Sequence, residues 1–261
     1  MPQFAANLSM LYAEVPFLER FALAADDGFG AVEYVSPYEY AAEDIAAELE
    51  AHGLVQALFN LPAGDWSAGE RGIACLPDRI GEFRSGIDIA IAYARALGCQ
   101  KLNCLAGIAD PDVEPAALEA TLVENLKYAA GRLAEAGILL LLEPINLRDI
   151  PGFFVSTTDH AESVLDAVGS RNLRIQYDFY HAQVMRGDLI PTLERLYHRI
   201  GHVQIADTPG RHEPGTGEIN YANVLKALDR LGYGGFVGCE YKPRTTTRDG
   251  LSWMRHYDQR G

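Results

Sequence analysis

Eight short apolar runs recur along the chain, each followed by a longer segment of helical period. The runs are Phe4–Leu8, Ala31–Val35, Val55–Leu61, Lys101–Leu105, Ile138–Glu143, Leu173–Asp178, His202–Ala206 and Phe236–Tyr241. Over 261 residues they return about every 33, the length of a strand, two short loops and a crossover helix. Ile138 to Leu142 is aliphatic throughout, as in a parallel strand covered on both faces.

The segments between the runs read as amphipathic helices. Ile80, Phe83, Ile87, Ile91 and Ala94 recur at steps of three and four, as do Leu118, Leu122, Leu126, Ala129 and Leu133. Tyr221, Val224, Leu225, Leu228 and Leu231 line a third face. Gly137 and Gly232 serve as stops, while Pro115 and Pro191 lie near helix starts, where a missing N–H costs little. Nothing between units resembles a linker, so residues 1–261 are expected to form one α/β domain, a (β/α)8 TIM barrel. The rival is a doubly wound open sheet. Its dinucleotide-binding form normally shows G-x-G-x-x-G after the first strand, and here that strand runs into Leu8-Ser9-Met10-Leu11-Tyr12.

Charge narrows the partners. Lys and Arg number 22 against 36 Asp and Glu, a formal net charge of −14, and such a surface repels nucleic acid and anionic lipid. The four cysteines form no C-x-x-C pair, the N-terminus shows no signal-peptide pattern, and the longest aliphatic run is far too short to span a bilayer. A cytoplasmic protein with a small-molecule partner, without nucleic-acid or membrane partners, is the expectation. A homo-oligomer remains open.

A barrel carries its site at the C-terminal ends of its strands. There the fifth run ends in Glu143-Pro144, the sixth in Asp178, the seventh holds Gln204, and the eighth ends in Glu240. Each carboxylate could alternatively cap the following helix or be solvated. Glu143, however, follows five aliphatic residues, and an isolated buried carboxylate is costly unless paired or metal-bound. Three carboxylates and an amide oxygen make a hard ligand set suited to one divalent ion, Mg²⁺ or Mn²⁺. Of seven histidines, His181 stands out, three residues beyond Asp178 in the loop above the barrel; a substrate contact is its expected role. Arg211, in the loop after Gln204, is either a bidentate holder of a substrate carboxylate or a solvated loop residue. Asn60 and Asn103, at the ends of runs three and four, either line the pocket or satisfy loop backbone.

These segments, from Leu142-Glu143-Pro144-Ile145-Asn146 through Asp178-Phe179-Tyr180-His181 and Gln204-Ile205-Ala206-Asp207-Thr208-Pro209-Gly210-Arg211 to Glu240-Tyr241, resemble the hydroxypyruvate isomerase family of the xylose-isomerase-like barrels. The likeness extends to Val32-Glu33-Tyr34 and to Pro214-Gly215-Thr216-Gly217-Glu218-Ile219. It implies Glu143 and Glu240 as acid/base pair and metal ligands, with Asp178 and Gln204 completing the ligand set. The glutamine at 204 stands where related ketose 3-epimerases usually carry histidine, which points toward hydroxypyruvate or 2-oxo-tetronate isomerase. An endonuclease of the same superfamily needs many histidines that this chain lacks.

The resemblance implies an isomerase of carbohydrate metabolism that interconverts hydroxypyruvate and tartronate semialdehyde, or a related short 2-oxo acid, through a metal-stabilised enediolate. Proton transfer between two glutamates on neighbouring strands is preferred over a hydride shift. The competing readings are a 2-oxo-tetronate isomerase, a ketose 3-epimerase and a non-catalytic metal-dependent binding protein.

Overall fold

The computed structural model describes residues 2–256. Eight parallel strands close into a barrel in sequence order: β1 (Gln3–Asn7), β2 (Ala31–Tyr34), β3 (Val55–Asn60), β4 (Lys101–Cys104), β5 (Leu139–Leu142), β6 (Leu173–Asp178), β7 (Ile200–Ile205) and β8 (Phe236–Cys239). Ala5 pairs with Ala31 on one side and with Gly238 on the other, which seals the ring and leaves no sheet edge. The open sheet is thereby excluded.

Outside the barrel run α1 (Glu19–Asp26), α2 (Ala42–His52), α3 (Ile80–Ala96), α4 (Pro115–Glu135), α5 (Thr158–Val168), α6 (Phe179–Met185), α7 (Leu189–Leu196) and α8 (Tyr221–Leu231). The expected punctuation holds: Pro115 opens α4, and Gly232 caps α8 in the left-handed conformation. Leu118, Leu122, Leu126, Ala129 and Leu133 are all buried, so the predicted stripe of α4 is the face laid on the strands.

Side chains alternate along each strand, and this sorts the barrel interior from the helix-facing core. Phe4 and Ala6 join the main apolar core, while Ala5 belongs with Ala31 and Ala57 in a separate small cluster. Asn7 shares the face of Ala5, and Glu33 that of Ala31. By the same period Glu143 follows Leu141, Asp178 follows Gln176, Gln204 follows His202, and Glu240 follows Gly238. The polar residues thus gather at the C-terminal end of the barrel: Asp178 ends β6, Gln204 lies within β7, and Glu143 and Glu240 stand one residue past β5 and β8. β5 and β8 are not neighbours, since β6 and β7 stand between them. Glu143 and Glu240 therefore rise from well-separated parts of the rim, a correction to the neighbouring strands expected. All four cysteines are buried and unpaired, and no described helix is long and apolar enough to cross a membrane.

Candidate active site

Glu143, Asp178 and Glu240 converge at the C-terminal ends of their strands. With His181 they place one ligand-type atom each within 4.8 Å of one another, all four buried. Two amides hold the glutamates from below: Asn103 donates to Glu143 Oε2 at 2.9 Å, and Asn7 to Glu240 Oε1 at 3.3 Å. Asn103 also donates to Asn60 Oδ1 at 3.1 Å. Both asparagines that end the third and fourth runs therefore belong to the polar layer of the pocket.

Asp178 answers to both readings of a strand-end carboxylate. Its Oδ1 caps α6 by accepting from the Tyr180 N–H at 2.7 Å, whereas its Oδ2 is buried without a hydrogen-bond partner. Glu143 Oε1 is orphaned in the same way. Gln204 lies beside Asp178 in register on the next strand. Its Nε2 donates to Glu33 at 2.7 Å, and its Oε1 accepts from Gln176 Nε2 at 2.6 Å.

The tautomer of His181 follows from its neighbours. Asn146 donates from its side-chain nitrogen to Nδ1 at 2.6 Å, and its orientation is pinned because its Oδ1 accepts from the Asp149 N–H at 2.8 Å. Nδ1 is thus the acceptor and the ring hydrogen sits on Nε2; the donor-only Arg211 Nη2 lies 3.4 Å from Nε2, too long to outweigh the 2.6 Å bond at Nδ1. Burial, followed by the charge of Arg211, pushes His181 well below its usual pKa, so the ring is neutral. Nε2 lies 3.5 Å from Asp178 Oδ2 and 3.8 Å from Glu143 Oε1, beyond good hydrogen-bond range. An N–H aimed into the carboxylate cluster suits a donor to a third group better than a metal ligand.

Arg211 reaches the same centre. Its Nη2 lies 2.7 Å from Glu240 Oε2 and 3.6 Å from Asp178 Oδ2, and its guanidinium packs 5.1 Å from the centre of the Tyr180 ring. The backbone at Arg211 is left-handed, with φ of 55°, uncommon for a non-glycine residue and a conformation that functional loops retain. Asp207 organises this loop: its Oδ1 accepts from the N–H groups of Thr208 and Ile219, and its Oδ2 from those of Gly215 and Gly217. Gly217 is obligatory, because a Cβ there would lie 2.0 Å from the Thr208 carbonyl oxygen. The short glycine-rich stretch noted in the sequence is a loop brace.

Electrostatics set the chemistry. Burial, with Glu240 and Asp178 close by, pushes the Glu143 carboxyl well above the usual range. Burial likewise raises Glu240 to about 8 and Asp178 to about 6, against the pull of Arg211. Three crowded carboxylates with two orphaned oxygens are the environment that a hard dication relieves, and the donor set fits one.

A cleft of about 1070 Å³ opens above this centre, with Glu143, His181, Arg211 and Glu240 in its walls. Arg71 and Trp66 also line it, the guanidinium 3.9 Å from the indole centre. Sequence reasoning passed over both, since a lone Trp and a lone Arg in a loop carry no spacing signal. It also assigned no role to Asn7 or Glu33. A glutamate inside an apolar strand was the available clue to Glu33.

The family described as xylose isomerase-like TIM barrel matches residues 21–257. Hydroxypyruvate isomerase of Escherichia coli is 54% identical over 98% of this chain and 100% of that one. 2-Oxo-tetronate isomerase of Cupriavidus necator is 49% identical over 98% and 99%. A crystal structure from Brucella melitensis, described as an AP endonuclease of family 2, superposes with a TM-score of 0.96 at 49% identity, covering 98% of this chain and 99% of that one.

Proposed function

Because the chain belongs to the xylose isomerase-like TIM barrel family, and its full-length relatives include hydroxypyruvate and 2-oxo-tetronate isomerases, we propose that it is an aldose–ketose isomerase of a short 2-oxo acid. Hydroxypyruvate and 2-oxo-tetronate are equally consistent substrates. The observation that carries the reading is the pair of buried glutamates, each held by an amide donor, in the wall of one cleft with a cationic arginine.

The chemistry moves a carbonyl by one carbon. One glutamate takes a proton from the hydroxymethyl carbon, leaving an enediolate, and the other gives a proton to the former carbonyl carbon. The hydroxyl proton passes between the two oxygens, and the two glutamates regain their starting states by exchanging protons with solvent at the open rim, so atoms and charge balance over a turnover. Each positioned transfer is worth roughly 10²–10⁴-fold. The His181 Nε2–H and the Arg211 guanidinium supply donors to the substrate's oxygens and carboxylate.

Glu143, Asp178 and Glu240, with the oxygen of Gln204, are the residues that would hold a divalent ion, Mg²⁺ or Mn²⁺. Such an ion supplies positive charge where the substrate oxygens become negative. The neutral, Nε2-protonated His181 supports an oxygen-only set. The four unpaired buried thiols fit a cytoplasmic location. An endonuclease reading fares worse: a surface of net charge −14 opposes a phosphate backbone.

The test compares kcat/KM of metal-loaded protein for hydroxypyruvate, 2-oxo-tetronate and neutral ketohexoses. Isomerisation of a 2-oxo acid well ahead of any ketose epimerisation is expected. Faster epimerisation of a ketose would replace this reading with the epimerase, and absence of any turnover would favour a binding protein.

A further inference from the structure

Glu33 is wholly buried beneath the carboxylate cluster, on β2, away from the strands that carry the proposed ligands. One carboxylate serves three partners. Oε1 accepts from Asn7 Nδ2 at 3.0 Å and from Gln204 Nε2 at 2.7 Å, and Oε2 lies 2.7 Å from His202 Nε2. Room for it is made by Gly238, where a Cβ would lie 2.3 Å from Glu33 Oε1.

An amide side chain can face either way, with oxygen or nitrogen toward a given neighbour. A carboxylate oxygen that receives an amide N–H fixes which way that amide turns, and Glu33 Oε1 receives two. Glu33 draws the NH₂ of Gln204 down and away, which leaves the Gln204 oxygen on the other side, toward Gln176. It also draws the NH₂ of Asn7 into position, and that same nitrogen reaches Glu240 Oε1. Turning the Gln204 amide would set its oxygen against the Glu33 carboxylate and its nitrogen against Gln176 Nε2, and turning the Asn7 amide would set an oxygen against the Glu240 carboxylate.

We infer that Glu33 is a positioning residue that sets the amide polarity of the site's floor, presenting the Gln204 oxygen to a cation and the Asn7 nitrogen to Glu240. The inference rests on the metal-dependent reading above. It assigns Glu33 no contact with substrate; its effect passes through Gln204 and Asn7.

The test is Mn²⁺ titration of metal-free protein by calorimetry, for wild type, Glu33→Gln, Gln204→Ala and the double variant. Glu33→Gln keeps the shape of the side chain but can donate as well as accept, so it no longer dictates which way its neighbours turn. Wild type should bind one Mn²⁺ per chain. Glu33→Gln should weaken binding by at least about tenfold, with a melting transition that stays cooperative. In the Gln204→Ala background the same change should add less than about threefold, because residues acting through one another are non-additive. Unchanged Mn²⁺ affinity in Glu33→Gln overturns the inference. So do fully additive losses, which would mean that Glu33 acts by charge alone. If wild type itself binds no Mn²⁺, the metal-dependent reading falls and the inference falls with it.

Discussion

Removing the metal should make the stability of this protein depend on pH in a direction opposite to ordinary acid denaturation. In the metal-free fold, burial raises Glu240 from 4.5 to about 8. A carboxyl whose folded pKa lies above its unfolded one favours the fold fully below the unfolded value, and that contribution fades as pH rises through the folded value. Between pH 6.5 and 8 the buried histidines are already neutral and Asp178, at about 6, has largely ionised. Glu240 then contributes a loss on the order of 1–2 kcal/mol across that window, allowing for the levelling near its folded pKa. For a chain of this size that lowers Tm by about 3–6 °C, and Glu143 adds to it in the same direction. The assay is thermal unfolding of EDTA-treated protein at both pH values, with and without Mn²⁺. Tm should fall toward pH 8 without the ion, and the Mn²⁺-induced rise should be larger at pH 8, where fewer protons compete. Glu240→Gln should flatten the metal-free slope. A metal-free Tm that is level or rising from pH 6.5 to 8, with equal Mn²⁺ shifts at both ends, would refute the reasoning.

EDTA should abolish turnover, and Mg²⁺ or Mn²⁺ should restore it; full activity in protein shown metal-free by elemental analysis would contradict the ligand set. Arg211→Ala should raise KM by about tenfold or more while lowering kcat less, as expected for a charge-assisted hold on the substrate's carboxylate; an unchanged KM would return Arg211 to a purely structural role beside Glu240. Turnover in D₂O should place deuterium on the product carbon that receives the proton, and consistently unlabelled product would remove the ground for preferring proton transfer over a hydride shift. Gly217→Ala should destabilise the loop of Arg211 and cost activity, since its Cβ would meet the Thr208 carbonyl; a variant with normal Tm and kcat would show that the loop can yield.

Much of the barrel was legible because each of its elements is local. Ile138–Leu142 announces a strand covered on both faces, and the stripe of α4 runs from Leu118 to Leu133 as its periodicity predicts. The converging carboxylates were legible for the same reason: Glu143, Asp178 and Glu240 each end an apolar run, and closure of the barrel brings those ends together. What escaped were relations across the barrel. That Glu33 holds Gln204 joins positions 171 residues apart, and no local pattern encodes it. Strand adjacency misled for a related reason, since β5 and β8 share a rim without sharing a ladder. The tautomer of His181 depends on Asn146 and Asp149, which belong to a different loop.

The central claim is that Glu143 and Glu240 exchange protons with a 2-oxo acid. Its most direct test is kcat for hydroxypyruvate and 2-oxo-tetronate in Glu143→Gln and Glu240→Gln, each measured with saturating Mn²⁺ and shown to hold one ion per chain. The account predicts a folded barrel and a fall in kcat of at least about 100-fold in each variant, the low end of a positioned proton transfer. A variant that keeps its ion and turns over at a near-wild-type rate would contradict the role given to that glutamate.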